Sequence, residues 1–168
     1  MTDAVAEQVL AALRQRGQTL ATAESLTGGL IGQLLTEVPG ASHSYLGGVI
    51  TYATQLKADL AGVDPETLAR YGPVAAITAE QMAAGVAQRC GAHWGLAVTG
   101  VAGPEPQDGH PVGQVFLAVA QPGNSPAPQV VELQLSGERT QIRRQTAEQA
   151  LLLLAQELGM RPQSSGVE

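Results

Sequence analysis

Of the nine Lys and Arg residues in the chain, only Lys57 is a lysine. An arginine keeps its proton in a protein, whereas an amine withdrawn from water gives its proton up readily and can act as a base. That bias marks Lys57 for chemistry. Upstream of it run Gly40-Ala41-Ser42-His43-Ser44 and then Tyr52. A hydroxyl nucleophile needs a base within reach, and a neutral amine or a phenolate can serve. Tyr52 falls at the end of an expected strand, and Lys57 lies about one helical turn into the next element. Both can converge on one pocket while Ser42 approaches on the preceding loop. A Ser42-Tyr52-Lys57 group would support acyl transfer, with an oxyanion site from a backbone or hydroxyl group of the loop at Thr99. The same spacing also admits Ser42 as a turn serine and Tyr52 as a partly buried core residue.

Two other glycine-rich segments and one arginine could complete a site. Glu24-Ser25-Leu26-Thr27-Gly28-Gly29 joins an expected strand to a helix, where free backbone N–H groups at Gly28 and Gly29 would suit an anion. The ordinary alternative is a helix start capped by Ser25 or Thr27. Thr99-Gly100-Val101-Ala102-Gly103-Pro104 follows a buried strand, and Arg139 opens the last helix after Gly137-Glu138. A guanidinium there could hold a phosphate or carboxylate in a bidentate contact, or pair with Glu138. His43, His93 and His110 are scattered, and Cys90 is the one cysteine, so neither a zinc spacing nor an internal disulfide is expected.

The elements that must position these residues follow from periodicity and breakers. Helices are expected over Val5–Arg16, Leu30–Thr36, Gln55–Leu60, Pro65–Tyr71, Ala79–Cys90 with Thr78 as cap, and Glu138–Leu158. Strands are expected over Gln18–Ala23, Gly47–Ala53, Trp94–Val98, Gln114–Ala120 and Val130–Leu135. Gln121 to Pro128 reads as a linker, and the tail from Pro162 as frayed. This mixture, ending in a hairpin-like strand pair, predicts a three-layer α/β/α sandwich around a mixed β-sheet, in a single domain covering 1–168.

Composition narrows the partners. With 44% hydrophobic, 14% charged and 3% aromatic residues, the chain can build a core, but from Ala, Val, Leu and Ile. A formal charge of −6 and no run of Lys or Arg argue against direct nucleic-acid binding. No stretch reaches the length of a membrane span, and the first residues lack a basic leader, so a cytoplasmic protein is expected. Leu151 to Leu154 are consecutive in the last helix, which suggests burial in a core or against another copy; a homo-oligomer is the expectation.

Four blocks in order resemble the CinA C-terminal domain family, the nicotinamide-nucleotide amidohydrolases. They are Ala23 to Gly29, Pro39-Gly40-Ala41-Ser42 with Gly47 to Tyr52 and Lys57, Thr99 to Pro104 with Pro111-Val112-Gly113, and Gly137-Glu138-Arg139. The resemblance implies hydrolysis of nicotinamide mononucleotide to nicotinate mononucleotide and ammonia, with no metal or organic cofactor. It implies Ser42 as nucleophile activated by Tyr52 and Lys57, with Ser25, Thr27, Gly28, Thr99, Gly100 and Arg139 binding the nucleotide or holding its amide oxygen. Ala53, Thr54 and His110 depart from the family pattern, and the loop from Glu105 to Gly109 is acidic. The alternative is a non-catalytic module that binds a nucleotide or a partner protein.

Overall fold

The computed structural model describes residues 2–124 and 127–160. Among the described residues, five strands form one sheet in the order β2-β1-β3-β4-β5. They are β1 (Leu20–Glu24), β2 (Tyr45–Ile50), β3 (Trp94–Gly100), β4 (Gln114–Ala120) and β5 (Gln129–Gln134). Central β1 runs parallel to both β2 and β3, whereas β3–β4 and β4–β5 are antiparallel. The expected mixed sheet is the one found.

Alternating side-chain size along the central strands decides how the layers meet. Leu20, Leu96, Val98, Val115, Leu117 and Val119 face one side, with Ala21, Ala23, Ala97, Phe116, Ala118 and Ala120 on the other. Helices α1 (Thr2–Gln15), α2 (Leu30–Thr36) and α6 (Arg139–Glu157) cover the large-residue face. The small-residue face receives α5 (Ala76–Cys90), beyond which lie the short α3 (Thr54–Asp59) and α4 (Pro65–Tyr71). Alanines leave little between sheet and helix, and glycines leave less. A Cβ on Gly95 would lie 1.8 Å from the Ala83 carbonyl oxygen of α5, and one on Gly85 would lie 1.7 Å from that of Ala61. No side chain fits at either point.

Several boundaries differ from the sequence expectation, each for a local reason. β2 begins at Tyr45 and stops at Ile50, so Tyr52 stands past the strand and is 61% exposed. β3 continues to Gly100, which places Thr99 and Gly100 in the sheet, where a Cβ on Gly100 would meet the Gln114 carbonyl oxygen at 2.6 Å. Helix α5 starts at Ala76, and Thr78 is no cap: it lies within the helix, and its hydroxyl donates back to the carbonyl of Gly72, the residue that ends α4, 2.8 Å away. Glu138 is the N-cap of α6 in a reciprocal capping box with Gln141 rather than an ion partner of Arg139.

Leu151, Leu153 and Leu154 are all buried in the chain's own core, and only Leu152 faces outward. Three of the four leucines are therefore taken up by the chain's own core. Cys90 is a free, half-buried thiol at the end of α5. Among the described residues no helix is long and apolar enough to cross a membrane. The expected frayed tail lies outside the described residues.

Candidate active site

Because β1, β2 and β3 are parallel and in register, with Glu24 beside both Ile50 and Val98, their following loops leave the sheet from one end. That end holds a cleft of about 160 Å³, lined by Ser25 after β1, Tyr52 and Lys57 after β2, and Thr99 to Gly103 at the end of β3. Arg139 closes it from the start of α6, and Glu105 and Gln107 stand in its wall. Ligands of open α/β sheets favour this position, outside the carboxyl ends of the strands.

Lys57 sits at the floor of the cleft with 1% of its surface exposed. Its Nζ donates to Ser25 Oγ at 3.1 Å and to the Thr51 carbonyl at 2.6 Å. Both partners are neutral oxygens, so no counter-charge offsets the loss of water around an ammonium. Burial accordingly lowers its pKa from 10.5 to about 8. A lysine so placed is neutral in roughly one molecule in ten at pH 7, against fewer than one in a thousand for an exposed lysine. Ser25 Oγ is thereby hydrogen-bonded to an amine that can take its proton.

Ser42 is not part of this group. It lies exposed in a single 3-10 turn (Ala41–His43) that leads into β2, and Ser44 O accepts from Leu20 N at the start of β1. Ser42 thus stands at the amino ends of the parallel strands, and Ser25 at their carboxyl ends. Five residues of strand separate the two, on the order of 15–20 Å. Ser42, expected as the nucleophile, therefore lies outside the cleft, and Ser25 is the serine beside Lys57.

The remaining expected residues divide in the same way. Tyr52 lines the cleft, but its hydroxyl accepts from Arg139 Nη2 at 2.9 Å and makes no bond to Lys57. Arg139 Nη1 also donates to the Gly103 carbonyl at 2.7 Å, which ties α6 to the loop after β3. The Thr99 hydroxyl spends its one proton on the Pro73 carbonyl at 2.6 Å and has none left for an oxyanion. Gly100 lines the cleft through its backbone. Thr27 and Gly28 are absent from the cleft wall: Thr27 is fully buried, and Gly28 faces Arg143 behind the turn.

Nor is the start of α2 open to an anion. Gly29 is its N-cap and contributes no side chain, so Ser25 and Thr27 do not cap it. The task falls to Glu24, a buried residue whose carboxylate accepts from Ile31 N at 2.9 Å and Gly32 N at 3.1 Å. Its backbone carbonyl accepts from Thr51 N at 2.8 Å. Glu24 therefore holds the last residue of β1, the start of α2 and the carbonyl-bearing Thr51 in one frame around Lys57. The strand expected from the sequence ends at Ala23 and leaves Glu24 in the joining segment, where nothing marks it as the group that caps α2. Among the described residues no cluster of His, Cys, Asp and Glu could hold a metal ion.

This geometry can be set beside known proteins. Residues 2–158 match the model of the CinA C-terminal domain. A CinA-like protein of Acidobacterium capsulatum is 46% identical over 151 residues, covering 89% of this chain and 36% of that protein. Another, from Frankia casuarinae, is 46% identical over 162 residues, covering 96% and 37%. The chain thus spans little more than a third of the curated relatives it matches. Among solved structures, a competence/damage inducible protein of Agrobacterium tumefaciens superposes with a TM-score of 0.88 at 37% identity, covering 95% of this chain and 96% of that one. A CinA superfamily protein of Klebsiella pneumoniae gives 0.89 at 30%, covering 95% and 98%.

Proposed function

The chain belongs to the CinA C-terminal domain family, and from that premise we propose that it is a serine amidohydrolase that removes the amide nitrogen of a pyridine nucleotide, nicotinamide mononucleotide, as ammonia. The observation that carries this reading is the hydrogen bond between Ser25 Oγ and the buried, easily deprotonated amine of Lys57. A serine is a weak nucleophile until a base takes its proton, and here the base is in place.

The steps follow from those two residues. Neutral Lys57 Nζ takes the Ser25 hydroxyl proton as Oγ bonds to the amide carbon, and the carbonyl π electrons move to oxygen. The tetrahedral intermediate collapses, the C–N bond breaks, and the departing nitrogen takes the proton from Lys57 as ammonia leaves. Lys57, neutral again, then takes a proton from water as the water oxygen bonds to the acyl carbon. Collapse of this second intermediate returns the proton to Ser25 Oγ and frees nicotinate mononucleotide. No cofactor enters these steps. Arg139, held by Tyr52 and Gly103, presents its guanidinium to the anionic end of the nucleotide, and Gly100 provides close-packed backbone at the floor.

Ammonia release from nicotinamide mononucleotide tests the assignment. Ser25→Ala should lower kcat by about a millionfold, as loss of a serine nucleophile does. Ser42→Ala, at the far end of the sheet, should retain wild-type turnover. The opposite pattern would return the nucleophile to Ser42. Calorimetric binding of the mononucleotide without ammonia release from folded wild type would instead make the chain a binding module.

A further inference from the structure

Arg143 does not line the cleft, yet it grips the turn that carries Ser25. It lies four residues after Arg139 on α6, one helical turn further along the same face. Its Nε donates to the Leu26 carbonyl and its Nη2 to the Thr27 carbonyl, each at 2.9 Å. The guanidinium packs against Gly28, where a Cβ would lie 3.4 Å from Nη2 and where φ is +60°. The turn has few other holds. Ser25 N donates to the Val98 carbonyl at 3.2 Å, Gly28 N to that of Ser25 at 3.1 Å, and Leu30 N to that of Thr27 at 3.2 Å.

Each carbonyl that Arg143 holds belongs to a planar peptide unit, so fixing the oxygen fixes the whole plane. Two successive planes after Ser25 are thereby set from α6. They begin one residue past Ser25, whose own amide is held by the Val98 carbonyl, so Arg143 limits how far the chain leaving Ser25 can shift. A rigid fork suits two neighbouring carbonyls in a way a single ammonium does not.

We propose that Arg143 is a positioning residue for the reaction: by clamping the Leu26 and Thr27 carbonyls it holds Ser25 Oγ against Lys57 Nζ, without touching substrate. The inference rests on Ser25 being the nucleophile. Displacing a reacting atom by about 1 Å costs around a hundredfold in rate, so Arg143→Ala should lower kcat by roughly that factor. KM should change far less than kcat, because Arg143 itself contributes nothing to the cleft wall.

The test combines ammonia release with covalent labelling by a small fluorophosphonate, read by mass spectrometry at Ser25. Wild type, Arg143→Ala, Arg143→Lys and the neighbouring exposed Arg144→Ala are compared. Labelling should slow with kcat in Arg143→Ala, recover when ethylguanidinium is added, and stay slow in Arg143→Lys; Arg144→Ala should behave as wild type. Wild-type labelling matched by full labelling and turnover in Arg143→Ala would overturn the inference while leaving Ser25 as nucleophile. A loss that accompanies a collapsed thermal transition and is not recovered by ethylguanidinium would overturn it too, as a merely structural role. Failure of wild type to label at Ser25 would remove the nucleophile itself, and this inference with it.

Discussion

At the scale of a residue, Lys57 faces two opposed demands. The proposed catalysis needs its amine neutral, and burial brings its pKa down toward that state at a cost to the fold. Its native pKa of about 8 lies below the 10.5 of an exposed lysine. Below pH 8 the amine is protonated in folded and unfolded chains alike, and the full cost of burying the charge is present. Between about 8 and 10.5 the unfolded chain holds a proton that the folded one has released, so stability rises with pH across that window. At 1.36 kcal/mol per pKa unit the shift corresponds to roughly 3 kcal/mol. Lys57→Met should therefore raise the unfolding free energy at pH 7, and the gain over wild type should shrink as pH climbs through 8 toward 10.5. Denaturant titrations of the two proteins at several pH values measure this. Activity should move with the same group: kcat/KM rises tenfold per pH unit up to about 8 and then levels. Lys57→Arg should be inactive at every pH, since a guanidinium cannot give up its proton. The singular lysine was legible from composition alone, because a residue type used once against eight alternatives carries information. The partner serine was not, because Ser25 and Ser42 both follow plausible strand or loop signals, and only the sheet's direction separates them.

Elements place Lys57 through contacts that leave no room. Helix α5 lies against the Ala61 backbone, just past α3, at the point where Gly85 has no Cβ. The obstructing atom is a backbone oxygen, which cannot swing aside as a side chain would. Gly85→Ala should therefore cost about 1–3 kcal/mol, the usual range for overpacking, and move the segment that carries Lys57. A lowered denaturant midpoint together with reduced ammonia release would show both effects; wild-type stability would mean that α5 can shift freely. The helices and strands themselves were largely legible, since their apolar periodicity and their Gly and Pro breakers are local. The close approach was not, because Gly85 inside a helical pattern gives no hint of what stands opposite. Glu24 escaped for the same reason: its partners Ile31 and Gly32 are near in sequence, but only the turn between them aims its carboxylate at their N–H groups.

In the whole molecule, two kinds of strand neighbour divide the labour. The three parallel strands send their loops to one end and make the cleft, whereas the antiparallel β4 and β5 widen the sheet and bring the chain back to α6. Arg139 and Arg143 then return from that last helix to the turns formed first, joining residues more than 80 apart in sequence through Tyr52 and more than 110 apart through Leu26 and Thr27. Such long-range closure is beyond any window of local periodicity, which is why Arg143 went unmarked while Arg139, announced by Gly137-Glu138, did not. One further consequence follows from the solitary, buried lysine. An amine-reactive ester offered to the folded chain meets no exposed ε-amine, so lysine-directed tags find no side-chain target on its surface. The ester can acylate a side-chain amine only by entering the cleft. A mononucleotide that fills the cleft should then slow the mass shift at Lys57, and the chain carries its own built-in gauge of occupancy, readable without any turnover.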